Sequence, residues 1–304
     1  MIDSFKDILT AAKQGGLKKA VVPFPGREDI EVLSRAAALG IVSPILIGNE
    51  KSLKTFIGKT DLWSYPHEVL DEKDRKKALN RAIALMREGE GDILMQGGLT
   101  QRALMGAVLD KESGMKKARV VSYASVFQLL KREKLILVTD TFLNNNPGLV
   151  EKQAVLENAL HLDRLLGVES PKVAVLAAVE QVNPGIPSTL DAAILSKMAE
   201  RRQFGKALVE GPLDIDCALS QAAAGRKGVQ SVVTGNVDIY LVPEVDTGYL
   251  LAEALVFFGK MPAVGVVLGT TKPVVLALPF ISDENRVVEI ALASLTCRKG
   301  GDNG

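Results

Sequence analysis

The 304-residue chain is short of the residues that most often announce a chemistry. It has two cysteines, two histidines and one tryptophan. Cys217 and Cys297 share no metal-ligand spacing and suggest no disulfide framework. Cys217 falls on an apolar helix face and reads as a small buried hydrophobe. His67 lies in an irregular segment and His161 mid-helix among leucines, so both read as structural or surface residues. No metal site is expected. There is no GK[ST] phosphate loop, no GxGxxG after the first strand and no GxSxG. Charge of either sign is not in excess: 37 Lys and Arg face 36 Asp and Glu, for a net +1. That balance gives no case for a nucleic-acid or membrane surface, and an acidic substrate would need a local basic pocket. No uncharged apolar run reaches the ~18 residues of a membrane span. The opening MIDSFKDILTAAKQGG reads as an amphipathic helix with acidic residues, unlike a signal or transit peptide. A reducing cytoplasm is the expected location.

What the chain does have is alternation. Apolar runs such as Lys19–Phe24, Val42–Ile47, Asp92–Met95, Arg119–Tyr123 and Leu135–Thr139 are separated by helical patterns at Glu28–Leu39, Asp74–Arg87 and Thr100–Leu109. The second half repeats this: helix Glu151–Leu166, strand Lys172–Leu176, helix Leu190–Ala199, strand Ala263–Leu268, strand Val274–Leu278 and helix Arg286–Leu295. The strand runs are continuously apolar, which argues parallel sheets covered on both faces. The length favours two domains, and the polar, asparagine-rich TDTFLNNNPG at 139–148 marks a boundary. The expected division is 1–138 plus 283–304 for one α/β domain and 139–282 for the other, with 298–304 as a frayed tail.

The stretch Lys206–Gly248 organises the second half. It reads as strand, acidic Gly-Pro loop, helix, small-residue loop, strand and acidic loop, a βαβ unit. Ligands of open α/β sheets bind where strand carboxyl ends open into loops. Three loop clusters stand out. Thr139 and Asp140 end a strand, a position from which they orient an anion or form a turn. Asn183, Ser188 and Thr189 form a second cluster, in which Ser188 or Thr189 is expected to cap the helix Leu190–Ala199 and the helix N-terminus to offer a phosphate its N–H groups. Ser231, Thr234 and Gly235 form the third, small hydroxyl residues beside a glycine that let a ligand approach the backbone. Thr270, in Gly269–Pro273, is similar.

Several segments resemble the phosphate acetyl/butyryl transferase family, most nearly phosphate butyryltransferase. They are GDILMQGGLT (91–100), TDTFLNNNPGLVEKQ (139–153), AVEQVNPGIPSTLDAAILSKMAERRQ (178–203), VEGPLDIDCALSQAAA (209–224) and KGVQSVVTGNVDIYLVPEVDTG (227–248). The resemblance implies a two-domain α/β/α sandwich of the isocitrate/isopropylmalate dehydrogenase type, with mostly parallel sheets and an interdomain cleft, assembled as a homodimer or higher homo-oligomer. It implies acyl transfer between coenzyme A and inorganic phosphate, with coenzyme A as substrate and no permanently bound cofactor. The thiolate of coenzyme A is the nucleophile and needs a base; the phosphate and the oxyanion need fixed donors.

Six positions depart from the family pattern. The Ser-Arg that members carry after strand Val274–Leu276 is Leu278-Pro279. The Gly-Asn pair of the Asp-x-Gly-Asn loop is Gly248-Tyr249. Lysines of the family are Glu253 and Gln96, and a histidine is Tyr123. Loss of one positioned donor slows such a reaction roughly 10²–10³-fold. Two readings follow. In one, the site is rearranged, with Asp283 as base and Arg286 as cation, and Thr139, Asp140, Asn183, Ser188, Thr189, Ser231, Thr234, Gly235, Gly248 and Thr270 lining or orienting the substrate. In the other, the chain is a weakened relative that binds coenzyme A or acyl-CoA as a binding or regulatory protein.

Overall fold

A computed structural model describes residues 1–297; the expected frayed tail at 298–304 lies outside the described residues. The first half runs α1 (Phe5–Gln14), β1 (Lys18–Pro23), α2 (Arg27–Ala38), β2 (Val42–Gly48), α3 (Glu50–Ile57), β3 (Glu68–Asp71), α4 (Arg75–Glu88), β4 (Ile93–Met95), α5 (Gln101–Leu109), β5 (Ser122–Gln128) and β6 (Leu135–Thr139). The second half runs α6 (Leu149–Leu165), β7 (Lys172–Leu176), α7 (Pro187–Glu200), β8 (Leu208–Leu213), α8 (Ile215–Leu219), α9 (Gln221–Arg226), β9 (Ile239–Leu241), α10 (Val245–Phe257), β10 (Ala263–Leu268), β11 (Val274–Val275) and α11 (Asp283–Thr296). The chain is a mixed α/β protein. It divides into two compact units, one made of residues 1–4 and 122–262, the other of 5–121 and 263 onward.

The unit that holds both halves' outer segments has strand order β3-β2-β1-β4-β11-β10. β1 pairs parallel with β2 and β4, β2 with β3, and β4 with β11; only β10 runs antiparallel, its Val267 opposite Val274. The last four residues of β1 and all of β4 and β10 are buried. Apolar burial on both faces is what continuous Val/Ile/Leu runs produce. One set of helices, α1, α2 and α11, packs together and α11 lies on β10 and β11, while α4 packs on β1, β2 and β4 and against α5.

The other unit has order β5-β6-β9-β7-β8. β6, β9, β7 and β8 are parallel, and β5 is antiparallel to β6 over Ala124–Gln128. This hairpin places the chain division at 121/122, not at the expected 138/139. β5 is paired along its length with β6 and cannot be parted from it without breaking that ladder. The second division falls at 262/263 and not at 282/283, because β10 and β11 are strands of the first-described sheet. Residues 1–4 belong with β5–β9: the Ile2 N–H donates to Leu166 O at 2.8 Å. Helix α1 therefore begins at Phe5 rather than at Ile2.

Candidate functional site

In a parallel sheet the loops after the strands are where ligands meet backbone and helix N-termini. In the β5–β9 unit these loops follow β6, β9 and β7. Thr139 ends β6 wholly buried, its hydroxyl donating to Tyr123 O at 3.2 Å. Asp140 is 3% exposed. Its Oδ1 accepts from the N–H groups of Phe142 (2.8 Å) and Leu143 (3.0 Å), and its Oδ2 from the Asn144 amide. Burial raises its pKa, and these hydrogen bonds work against that rise. Asp140 thus folds the loop after β6 around itself. Beside it, the Thr141 and Ser125 hydroxyls share a hydrogen bond of 2.8 Å, and the Phe142 ring meets Tyr123 edge-on at 6.0 Å and Tyr249 at 6.2 Å.

Gly248, in the first turns of α10, packs directly on that loop. A Cβ there would stand 2.6 Å from Asp140 O, 2.9 Å from Val242 Cγ2 and 3.0 Å from Thr141 Cα. The glycine is required because the helix approaches the loop this closely. Helix α10 is capped by Glu244, which accepts from the N–H groups of Asp246 and Thr247 at 2.9 Å each and from the Thr247 hydroxyl. The Thr247 hydrogen bond, the larger effect, holds the Glu244 carboxyl below the usual range, with Lys152 contributing.

After β7, the Asn183–Thr189 loop is clipped by Thr189. Its buried hydroxyl accepts from Asn183 N at 2.9 Å and bonds Asn183 O (2.9 Å) and Ile186 O (2.8 Å). Asn183 turns its own Oδ1 onto Gly185 N at 2.8 Å and is exposed. The expected capping role of Ser188 or Thr189 is not what the structure shows. Helix α7 starts three residues earlier than expected, with Pro187 at its first position and Ile186 as the cap, which has no side-chain acceptor. Proline's fixed φ begins the helix there, so Ser188 and Thr189 lie inside the first turn. That turn has no side-chain cap, which leaves the helix dipole's positive end to an anion.

Sequence reading missed Lys152. It is 6% exposed, on α6, and its Nζ lies 2.6 Å from Asp191 Oδ2 in the second turn of α7. It joins α6, α7 and the Glu244 cap of α10 around the loops just described. The signal was available: Lys152 stands three and four residues before the buried Val155 and Leu156, on the helix's apolar stripe.

Ser231, Thr234 and Gly235 are not brought to this edge. Thr234 donates to Ser231 O at 3.1 Å and Ser231 Oγ accepts from Val233 N at 3.1 Å. Ser231 and Thr234, with Glu210, Gln221, Val229, Gln230 and Val232, line a surface cavity of about 630 Å³. Gly235, at φ +75°, is next to Asn236, which meets the Lys134 ammonium at the start of β6. The loop before β9 thus lies at the strands' amino ends, opposite Thr139 and Asp140. Asp214, Asp216 and Cys217 bring ligand atoms within 4.8 Å of one another. The Lys227 ammonium already bonds both carboxylates, at 2.8 Å to Asp216. Burial first, then Asp214, pushes the Cys217 thiol up to about 12, so it holds its proton at neutral pH.

In the other unit the loops after β1, β4 and β11 meet. Gly98 N donates to Phe24 O at 2.8 Å, and the Arg75 guanidinium stands 5.1 Å from the Phe24 ring centroid while bonding Gly98 O. Gln96, 9% exposed, donates to Leu99 O at 2.8 Å and accepts from Ala277 N at 2.9 Å. A lysine has no acceptor and could not make the second bond. Leu278 is buried, with Phe280 and Ile281. Asp283 is exposed in the first turn of α11, its carbonyl bonded by Arg35 at 2.7 Å. Arg286 is not a solvated helix residue: its Nη2 lies 2.6 Å from Asp29 Oδ1, with side-chain exposures of 14% and 11%. Asp29 also holds Gly26 N at 2.8 Å, at the start of α2. Thr270 lies in the β10–β11 turn, its hydroxyl on Lys272 O at 2.7 Å. Since β10 runs against its neighbours, this turn is at the amino ends of β11 and β4, away from Gln96, Ala277 and Asp283.

Residues 64–294 match the model of the family described as phosphate acetyl/butaryl transferase. The chain belongs to this family. It is similar to the phosphate butyryltransferase of Clostridium acetobutylicum, 36% identical over 97% of this chain and 98% of that one. It is also similar to the phosphate acetyltransferase of Thermotoga maritima, 32% identical over 95% and 98%. Among solved structures it is similar to a branched-chain phosphotransacylase from Enterococcus faecalis, with TM-score 0.80 and 25% identity, covering 92% of this chain and all of that one. A phosphotransacetylase from Streptococcus pyogenes shares the fold at TM-score 0.79 and 17% identity. Within the phosphate acetyl/butyryl transferase family, then, this chain has a buried, apolar Leu278 where a serine was expected and a backbone-bonded Gln96 where a lysine was expected. No helix among the described residues is long and apolar enough to cross a membrane.

Proposed function

We propose that the chain transfers an acyl group between coenzyme A and inorganic phosphate, acting in the cytoplasm on a short chain such as butyryl, as a homodimer of the isocitrate dehydrogenase fold type. The observation that carries this is the near full-length match, in sequence and in fold, to transferases of this one reaction class. In the direction of thioester formation, a base removes the thiol proton and the thiolate sulfur attacks the acyl phosphate carbonyl. The oxyanion collapses, the carbon–oxygen bond breaks and phosphate leaves.

In this proposal the uncapped first turn of α7, with Asn183, Ser188 and Thr189, and the loop folded on Asp140 orient the anionic substrate. Lys152 supplies the positive field behind them. Asp283 is the base, and Arg286, steadied by Asp29, is the cation on the same turn of α11. The apolar Leu278 favours an alkyl chain longer than acetyl. Coenzyme A comes and goes as substrate.

The test is thiol release from acetyl-, propionyl-, butyryl- and isobutyryl-CoA in phosphate buffer. Turnover is expected, highest for the four-carbon chains, with a loss of roughly 10²–10³-fold in kcat on Arg286→Ala. An unchanged kcat in Arg286→Ala and in Asp283→Asn would remove both residues from the mechanism. Absence of turnover with the whole series would overturn the proposal.

A further inference from the structure

Three of the six positions that depart from the family pattern belong to one chain of contacts. Tyr123, Tyr249 and Glu253 stand where that pattern has a histidine, an asparagine and a lysine. Tyr123, on β5, is fully buried, and its ring meets Phe142 edge-on at 6.0 Å with 65° between the planes. Phe142 in turn meets Tyr249, on α10, at 6.2 Å and 40°. The Tyr249 hydroxyl is bonded to Glu253, one helical turn further on.

The outer part of this chain is held in place yet open. The Phe142 N–H donates to Asp140 Oδ1 at 2.8 Å, so the ring's backbone is pinned to the loop after β6. Tyr249 follows Gly248, whose close approach seats α10 on the same loop. Burial first, then Glu253, raises the Tyr249 pKa, so the hydroxyl keeps its proton and donates it to the carboxylate. Phe142, Tyr249 and Glu253 are each half-buried. They form a shelf of two fixed aromatic rings edged by a carboxylate, beside the loop folded on Asp140.

Such a shelf discriminates among acyl groups. A substrate ring set about 4.5–7 Å from these two would extend the aromatic ladder and gain from edge-to-face contact beyond its buried area. A small alkyl group gains area alone. A distal carboxylate would meet Glu253, a like charge, where a lysine would have drawn it in.

We infer that Phe142, Tyr249 and Glu253 select the acyl group, admitting aryl-bearing acyl thioesters and rejecting acyl groups that end in a carboxylate. Tyr123 positions Phe142 from within the core. The inference rests on the acyl transfer proposed above and names a substrate class for that site.

The test is thiol release in phosphate buffer from acetyl-, butyryl-, phenylacetyl- and succinyl-CoA, with each kcat/KM read as a ratio to that for acetyl-CoA. Phenylacetyl-CoA is expected above acetyl-CoA and succinyl-CoA about ten-fold or more below it. Tyr249→Asn and Phe142→Leu should each lower the phenylacetyl ratio about three- to ten-fold, and Tyr249→Phe should keep it. Glu253→Lys should raise the succinyl ratio about ten-fold. Damage to the fold alone lowers all four substrates together and leaves the ratios unmoved. The wild-type comparison needs no variant, and circular dichroism checks that each variant folds. Turnover of acetyl- and butyryl-CoA with none of phenylacetyl-CoA overturns the inference and leaves the proposed function standing. So do ratios that none of Tyr249→Asn, Phe142→Leu and Glu253→Lys moves. No turnover of any thioester removes both.

Discussion

Asp163 offers a quantitative test of how the β5–β9 unit is held together. It lies near the end of α6, is 2% exposed, and its Oδ2 has no hydrogen-bond partner. Burial raises its pKa from 3.8 to about 7; the Asp238 carboxylate adds to the rise and Lys134 opposes it. Asp238 is itself held by Lys134 at 2.6 Å and by Lys172 N at 2.7 Å, so it cannot turn away. The folded state therefore keeps the Asp163 proton across a window in which the unfolded chain has lost it. Stability is fullest below pH 3.8 as far as this group is concerned, falls as pH rises, and levels off above pH 7.

At about 1.4 kcal/mol per pH unit, the whole fall amounts to roughly 4 kcal/mol. Asp163→Asn removes the charge and keeps the shape. Urea unfolding of wild type and variant from pH 4 to pH 9 should give equal stabilities at the acid end. The variant should then gain on the wild type up to roughly 4 kcal/mol above neutrality. Two curves separated by the same amount at every pH would refute the reasoning, because the cost would then be one of shape and not of ionisation.

Three further outcomes follow from the same geometry. Lys152→Met leaves Asp191 beside an apolar side chain and should cost about 3–5 kcal/mol in chemical denaturation, with most of it recovered in the double variant Lys152→Met/Asp191→Leu. Gly248→Ala drives a methyl into the Asp140 and Thr141 backbone and should cost about 1–3 kcal/mol while raising KM for acyl-CoA; an unchanged melting temperature would show that the helix can withdraw. Gln96→Lys should destabilise by about 1–3 kcal/mol, since the Ala277 N–H loses its acceptor. A gain in transfer rate without that loss would mean that Gln96 serves only as a missing charge.

Much of the fold was legible because strand and helix periodicity is local. Leu135–Thr139, Lys172–Leu176 and Ala263–Leu268 are strands at the bounds that their apolar runs predict. β5 was misplaced, from 119–123 to Ser122–Gln128, because SYASVFQ mixes hydroxyls into a buried strand. Those hydroxyls are satisfied by partners distant in sequence: Ser125 by Thr141, and Ser122 by Asn158 at 2.9 Å. The expected single helix around Cys217–Ala223 is two, α8 and α9, broken at Ser220, whose hydroxyl caps the second.

The candidate site was legible only in part. The sequence marks which residues are small or hydroxylic, but not which end of a sheet they reach. Thr139 and Asp140 follow β6, whereas Thr270 follows an antiparallel strand and is carried to the other end. Arg286 illustrates a second limit: its partner Asp29 is 257 residues away, and no local pattern joins them. Family resemblance supplied the reaction class, which neither periodicity nor charge could have done.

The most direct measurement is phosphorus NMR of the purified chain with butyryl-CoA and inorganic phosphate. A chain that transfers butyryl to phosphate gives a new acyl phosphate resonance growing in step with thiol release, and faster than with acetyl-CoA. Coenzyme A bound by the protein, with no acyl phosphate formed from any of the four thioesters, would contradict it.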